Sequence, residues 1–393
     1  MRILVLNSGS SSLKFQLFDM PSALILASGQ VEKIGQDTSE LKITTPTEQF
    51  TEQLVARDHN AALRRVIELL RTALNVISSL EDIEAVGHRV VHGGARFYQT
   101  IQIDNAVLGA IKDLSPLAPL HNPANATGIE VAQQLFTKAA QVAVFDTAFY
   151  HDLPVKARNY AINSDFAKEH EIRVYGFHGI SHEYVSAQTQ QFLSNDKARV
   201  INLHLGNGCS ATAISAGKPI DHSMGFGPLT GLVMGTRSGD IDPSVIFYLI
   251  EQKGMSAAAV KELLTKNSGM LGLSGHSDLR EIEALASSGN TAAQQALELN
   301  TYRIQKYIGA YTAALGGLDA LVFTAGIGEN SSAMRAQICE GLSFFGIYLD
   351  SELNNQRLPG IRNIASKRSS VPVLIVPTNE ELAIAQKVYA LLG

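Results

Sequence analysis

Short apolar runs that stop abruptly at glycine-rich polar turns recur from one end of the chain to the other. The first is ILVL (residues 3–6), followed by NSGSSSLK (residues 7–14), after which Leu13, Phe15 and Leu17 restore an every-other-residue pattern. That pattern predicts a buried strand, a tight turn and a returning strand. The layout repeats in VINLHL (residues 200–205), the turn Gly206, Asn207, Gly208, and SATAIS (residues 210–215). Two more glycine turns are MGTRSGD (residues 234–240) and TAGIGEN (residues 324–330), the second set between the strand VFTAG and a helix over SSAMRAQICEGL (residues 331–342). A single such turn is also what any β-hairpin needs. Two matched hairpins predict a duplicated α/β unit.

Between these turns the periodicity predicts a helix over about 60–74, a strand over AVGHRVV (residues 85–91), a proline-bearing loop SPLAPLHNP (residues 115–123) and a helix after it. QVAVFDTAF (residues 141–149) reads as a buried strand ending in a carboxylate, the strand end where α/β folds place chemistry. A long helix over about 291–315 carries Leu297, Ile304, Ile308, Tyr311 and Leu315 on one face, which is core spacing. VPVLIVP (residues 371–377) is a strand, TNEE (residues 378–381) fits a capping box, and LAIAQKVYALL closes the chain as a helix expected to return to the first half. The predicted division is a first domain of residues 1–152 plus 381–393 and a second of residues 153–380.

The turns have phosphate chemistry. Gly9 permits close backbone approach and positive φ, while Ser8, Ser10, Ser11, Ser12 and Lys14 supply donors for anionic oxygens. Neither GxxxxGK[ST] nor GxGxxG occurs, so a Walker loop and a dinucleotide fingerprint are excluded. With 393 residues and a net charge of −5, the chain is long enough for two cores and has no general attraction for nucleic acid or an anionic membrane. Its two cysteines, Cys209 and Cys339, lack metal-ligand spacing and suit a reducing cytoplasm. The beginning MRILVL is unlike a signal peptide, and no uncharged apolar stretch is long enough to span a bilayer.

Nine motifs in order carry a resemblance over the full length: NSGSSSLK, GHRVVHGG (residues 87–94), APLHNP (residues 118–123), VFDTAF (residues 144–149), YGFHGISH (residues 175–182), HLGNG, MGTRSGDIDP (residues 234–243), TAGIGEN and PTNEEL (residues 377–382). The chain resembles the acetate kinases, of the acetate and sugar kinase, Hsp70 and actin superfamily. The resemblance implies two duplicated RNase H-like domains of the actin/Hsp70 type with a nucleotide cleft between them. It also implies reversible, ATP- and Mg²⁺-dependent phosphorylation of acetate to acetyl phosphate, with Mn²⁺ able to substitute, by a cytoplasmic homodimer. Propionate kinase is the close alternative.

Arg89 shares a strand face with Val91 and needs an anion partner there: a substrate carboxylate, as the resemblance implies, or a protein carboxylate. Asp146 ends its buried strand. Acetate is already ionised at pH 7 and needs no general base, so Asp146 is expected to position Arg89, a metal-bound water or both. Arg237 reads as a cation at the tip of a mobile or tight loop, and His178 lies between glycines; with the HLGNG amides they would stabilise the transferring phosphoryl group. The resemblance assigns His121 to the substrate site and Val91, Leu120, Phe177 and Pro228 to a small methyl pocket. It assigns Asn7 and Glu380 to magnesium, although an acidic residue at 380 is equally at home at a helix start. The nucleotide is expected at Ser10, Ser12, Lys14, His204, Leu205, Gly206, Asn207, Gly208, Asp278, Leu279, Arg280, Gly326, Ile327, Gly328, Glu329 and Asn330. SGHSDLR is one residue shorter than the common family form, which bears on the contacts of Asp278, Leu279 and Arg280. Competing readings are a nucleotide-switched actin-like protein, which has no use for GHRVVHGG and GFHG, and a sugar kinase, which needs a polar pocket where Val91, Leu120 and Phe177 stand.

Overall fold

The computed structural model describes residues 1–393. It divides into two compact units, Met1–His151 with Asn379–Gly393, and Asp152–Thr378.

The first unit is built on β1 (Arg2–Ser8), β2 (Ser12–Asp19), β3 (Leu24–Glu32), β4 (Ser39–Thr44), β5 (Gln49–Leu54), β6 (Ala85–Val90), β7 (Ile101–Gln102) and β8 (Ala140–Phe145), in the order β5-β4-β3-β2-β1-β6-β8-β7. The β1 strand is antiparallel to β2 and parallel to β6, and β6 is parallel to β8. Residues 3–6 are apolar without alternation because both sheet faces are covered: each is at most 1% exposed. On one face Leu4 and Leu6 join a core with Leu63, Val66 and Leu70 of helix His59–Thr72. On the other, helix Glu380–Leu392 lies against β1 and β6. Gly87 makes that approach feasible, since a Cβ there would fall 2.8 Å from Ile384 Cγ2 and 2.9 Å from Val388 Cγ2.

The second unit contains β9 (Arg199–Leu205), β10 (Cys209–Ser215), β11 (Lys218–His222), β12 (Ala320–Thr324), β13 (Arg362–Asn363) and β14 (Val373–Ile375), in the order β11-β10-β9-β12-β14-β13. The run β11-β10-β9-β12-β14 reproduces β3-β2-β1-β6-β8 in both order and strand direction. The matched turns are therefore the first hairpin of each copy of one α/β motif. Helix Thr291–Leu315 buries Leu297, Ile304, Ile308 and Tyr311, is capped by Asn290 and stops at Gly316 with φ +66°.

Three local expectations are corrected. Gly9 is not among the positive-φ residues; a Cβ there would come within 2.8 Å of Ser12 Oγ, which would have to turn away. The cap of the last helix is Asn379, whose side chain accepts from the Leu382 amide, while Thr378 Oγ1 bonds to Ser181 Oγ. Within TAGIGEN, Ala325–Asn330 is itself a short helix instead of an open turn.

His88 in β6 is buried, with its Nε2–H donating to Gln141 Oε1 at 2.8 Å. Burial pushes its pKa down to about 4, the Gln141 bond opposing. Unfolding restores the ordinary value near 6.5, so the unfolded chain binds one more proton between the two values and stability falls as pH drops through that window. In His88→Gln the acid-induced loss of hydrogen-exchange protection in β1, β6 and β8 between pH 6.5 and 4 should be shallower than in the wild type; an unchanged pH dependence refutes this assignment.

Candidate active site

The parallel register of β1, β6 and β8 brings Asn7, Arg89 and Asp146 to the same sheet end. The Asp146 amide donates to the Val90 carbonyl, extending the pairing one residue beyond β8 and placing its carboxylate beside Arg89. Arg89 Nη2 donates to Asp146 Oδ2 at 2.6 Å and Nε to the same oxygen at 3.2 Å, while Nη1 reaches Asn7 Oδ1 at 3.5 Å. Glu380, in the first turn of the last helix, lies 3.7 Å from Arg89 Nε. Asp146 is only 1% exposed, so the group is two carboxylates against one guanidinium with little water. Burial opposes the Arg89 charge, but the fields of Asp146 and Glu380 outweigh it and hold the guanidinium above its ordinary pKa. Burial pushes Glu380 up to about 7, with Arg89 pulling it down and Asp146 adding to the rise.

The turn after β1 is tied down through its carbonyls. Ser8 O accepts from Asn125 Nδ2 at 2.9 Å, Gly9 O from His59 Nε2 at 2.7 Å, Ser11 O from the Ile34 amide and Ser12 O from the Gly9 amide. Ser10, Ser11 and Lys14 are exposed, with Lys14 opposite Asn7 in the β1–β2 register. Gly128 lets helix Asn122–Leu135 approach, since a Cβ would sit 2.2 Å from Ser8 Oγ. Val91 is buried and its amide donates to Asn125 Oδ1 at 3.1 Å; Leu120 is 52% exposed, and His121 begins helix Asn122–Leu135 without capping it by its side chain.

In the second unit, His178 has φ +56°, a left-handed conformation that is costly for a non-glycine residue. Its ring is held by Nδ1···Ser210 Oγ at 2.9 Å and is stacked on His204, centroids 4.3 Å apart. Ser210 Oγ also meets His182 Nε2 at 2.8 Å, and His204 Nδ1 meets Ser181 Oγ at 2.9 Å. His222 Nε2 accepts from the amide of buried Phe177, so its proton is on Nδ1, toward Thr212. Burial first, then neighbouring imidazoles, pushes the pKa of His222 down to about 3 and that of His182 well below the usual value. Both are neutral near pH 7.

Of the two readings for the Arg237 loop, mobile or tight, the structure has the tight one. The loop is bonded through Gly235 to Asn207, through Ser238 to Leu264 and through Ser268 to Thr236, and Arg237 Nη1 donates to the Pro228 carbonyl. Burial lowers its pKa, with Cys209 opposing. A Cβ at Gly208 would lie 2.6 Å from Arg237 Nη2 and 3.3 Å from His178 Nε2, so that glycine leaves room for both side chains' approach.

A cavity of about 760 Å³ is lined by Gly206, Asn207, Asp278, Leu279, Arg280, Gly326, Ile327 and Asn330. Glu329 is elsewhere engaged: its Oε1 accepts from the Ala325 and Thr378 amides. Arg280 folds back onto Asp278, the cap of helix Leu279–Ser287.

A model of the acetokinase family matches residues 2–386. The chain belongs to the acetokinase family. It is 52% identical over 393 residues to an acetate kinase of Flavobacterium johnsoniae, covering 100% of both chains, and 47% identical over 392 residues to one of Thermotoga maritima, covering 98% and 97%. Among solved structures it is similar to Porphyromonas gingivalis acetate kinase (TM-score 0.93, 44% identity, 100% of both chains) and to a propionate kinase from Francisella tularensis (TM-score 0.93, 42% identity, 98% of both chains).

Several residues of this candidate site carry no signal in the sequence. Arg357 and Glu283 line the cavity, yet each stands in a polar stretch without a distinguishing pattern. His59 and Asn125 hold the first turn from 50 and 117 residues away, and the only general signal is that buried turn carbonyls need donors. Ser210 was read merely as the start of a strand. Gly208→Ala should displace Arg237 and His178 and lower kcat by about tenfold or more, with thermal stability near the wild-type value; full activity in this variant would contradict the packing described.

Proposed function

We propose that this acetokinase-family protein transfers the γ-phosphoryl group of ATP to acetate, giving acetyl phosphate and ADP reversibly. The observation that carries this reading is Arg89, a guanidinium already charged, oriented by buried Asp146 and presented at the carboxyl ends of parallel strands. A planar fork held in this way suits a small carboxylate. Asp146 acts as the positioning group. No general base is needed, because acetate is ionised at neutral pH.

An acetate oxygen attacks the γ-phosphorus; the new O–P bond forms as the bond to the β,γ-bridging oxygen breaks, and ADP leaves with that electron pair. No proton moves and no phosphoenzyme forms. His178, Arg237 and the amides of HLGNG neutralise charge on the equatorial oxygens, while Ser10, Ser12 and Lys14 bind phosphate oxygens. His204 and Leu205 lead into that turn and support it, and Gly328 and Glu329 fix the short helix beneath the adenosine. Gly326, Ile327, Asn330, Asp278, Leu279 and Arg280 contact the nucleoside, consistent with the cavity they line. Val91 and Leu120 of the first unit, and Phe177 and Pro228 of the second, are the residues assigned to the methyl group, with His121 supporting the substrate.

A magnesium ion fits Asn7 and Glu380. A buried carboxylate whose pKa is about 7 gains from a cation that keeps it ionised, and Mg²⁺ needs only one or two protein ligands beside phosphate and water. When bound, it would neutralise phosphate charge and help orient the nucleotide; Mn²⁺ has compatible ligand chemistry.

The chain also acts as a cytoplasmic homodimer in this reading. Both cysteines are free, and no helix is long and apolar enough to cross a membrane. Helix Pro243–Glu251 has no buried residue, although Val245, Phe247, Tyr248 and Ile250 are exposed by 43%, 60%, 50% and 36%. A second copy would cover this apolar surface. Phe247→Glu combined with Tyr248→Glu should halve the mass seen by light scattering; an unchanged mass places the interface elsewhere.

Propionate kinase is the second reading because the Francisella tularensis propionate kinase shares the fold at 42% identity. The deciding assay traps acyl phosphate as hydroxamate and compares kcat/KM for acetate, propionate and butyrate. Acetate is expected to lead, and Arg89→Ala to lose at least about 10²-fold in kcat/KM for it. Propionate leading would move the assignment; no acyl phosphate from any acid would end it.

A further inference from the structure

Asn125 lies in helix Asn122–Leu135 and is only 4% exposed. Its amide has two faces with two tasks. Nδ2 donates to the Ser8 carbonyl at 2.9 Å, at the start of the first glycine turn, and Oδ1 accepts from the Val91 amide at 3.1 Å. One planar group thereby fixes the distance between the turn read as a phosphate site and the residue read as the wall of the methyl pocket. The neighbouring side chains make this arrangement stiff. Asn122, one helical turn earlier, clamps His92 through both its amide and its carbonyl, at 3.1 and 3.0 Å. Gly128 permits the close approach of the helix to Ser8.

We propose that Asn125 is a positioning residue that sets phosphate-turn geometry and acyl selectivity together, and that His59 is a second positioning residue acting on the turn alone. This rests on the acetate kinase reading above. The physical reason is that a side-chain amide cannot rotate to serve one partner without withdrawing from the other, since donor and acceptor are on opposite sides of one plane. His59 differs: its Nε2 reaches only the Gly9 carbonyl, 2.7 Å away, and has no bond to the pocket. Neither residue touches the reacting atoms in this scheme.

The two roles separate by substitution. Asn125→Asp keeps an acceptor for the Val91 amide and removes the donor to Ser8 O. Asn125→Ala removes both. His59→Phe removes the turn bond only. In the hydroxamate assay, Asn125→Asp and His59→Phe should raise KM for MgATP or lower kcat by about tenfold while leaving the propionate-to-acetate ratio of kcat/KM within about twofold of wild type. Asn125→Ala should show the same turn defect and also raise that ratio by about fivefold or more, the range available when a methyl pocket loosens. His59→Gln, which retains a donor, should recover most of the His59→Phe loss. A ratio unchanged in Asn125→Ala overturns the proposal. So does a ratio that shifts equally in His59→Phe, which would mean general loosening of the unit. If Asn125→Ala does not fold, Asn125→Asp and the His59 pair still decide the turn half, and Asn125→Ser tests the selectivity half with a shorter hydroxyl. Wild-type protein that makes no acyl phosphate would refute the underlying reading, a result distinct from either of these.

Discussion

The Arg89–Asp146 pair is the constraint around which the first unit is arranged. A carboxylate that is 1% exposed is tolerable only with charge and hydrogen-bond compensation, and a two-point guanidinium contact supplies it. The contact in turn needs β6 and β8 parallel and in register, with the Asp146 amide on Val90 O. Glu380 adds a second carboxylate to the same guanidinium, leaving the group one negative charge in excess when both are ionised. An acetate anion approaching that group meets repulsion as well as Arg89. Lys14, whose field favours the ionised form of Glu380, offsets part of that imbalance.

The two units share a sheet order but solve opposite electrostatic problems. In the first, buried acidic groups hold a cation in place. In the second, Arg237 donates to the Pro228 carbonyl, His182 meets Ser210 Oγ, and burial keeps His182 and His222 neutral. His182 and His222, both neutral, are oriented through Ser210 and Thr212 without accumulating positive charge. Arg237 then stands as a cation whose charge burial disfavours, and an incoming phosphate would relieve that cost. The positive φ of His178 belongs to the same economy of placement: the backbone accepts strain so that the ring can lie between Ser210 and His204.

The strands and the duplication were legible because they are written in short-range pattern: unbroken apolar runs for β1, β9 and β12, and polar glycine turns after the first two. Helix Thr291–Leu315 was legible from its spacing. What failed to show was whatever depends on a partner distant in sequence. Thr378 has the local chemistry of a cap, but Ser181 engages it, and Asn379 does the capping. The glycines around Arg237 mark a loop, but the bonds that make that loop tight, to Asn207, Leu264 and Ser268, carry no local sequence signal. His59 and Asn125 sit in ordinary helices, and their importance lies wholly in which carbonyl each meets.

Similarity of fold leaves the identity of the acid to a finer scale. A Francisella tularensis propionate kinase and a Porphyromonas gingivalis acetate kinase superimpose on this chain equally well, each at TM-score 0.93. That equality follows from the energetics: one methylene in an apolar pocket is worth about 1–3 kcal/mol, which displacements of a few tenths of an ångström in a wall residue can supply or remove. Whole-chain superposition is insensitive to such shifts. If Val91 is the wall, as proposed above, discrimination would depend on how firmly it is held, and its amide donates to Asn125 Oδ1 just beyond the end of β6 at Val90. On that proposal a residue just beyond a strand end takes its position from a side chain, and tolerance for a longer acid would be set by that side chain's rigidity as much as by the size of valine.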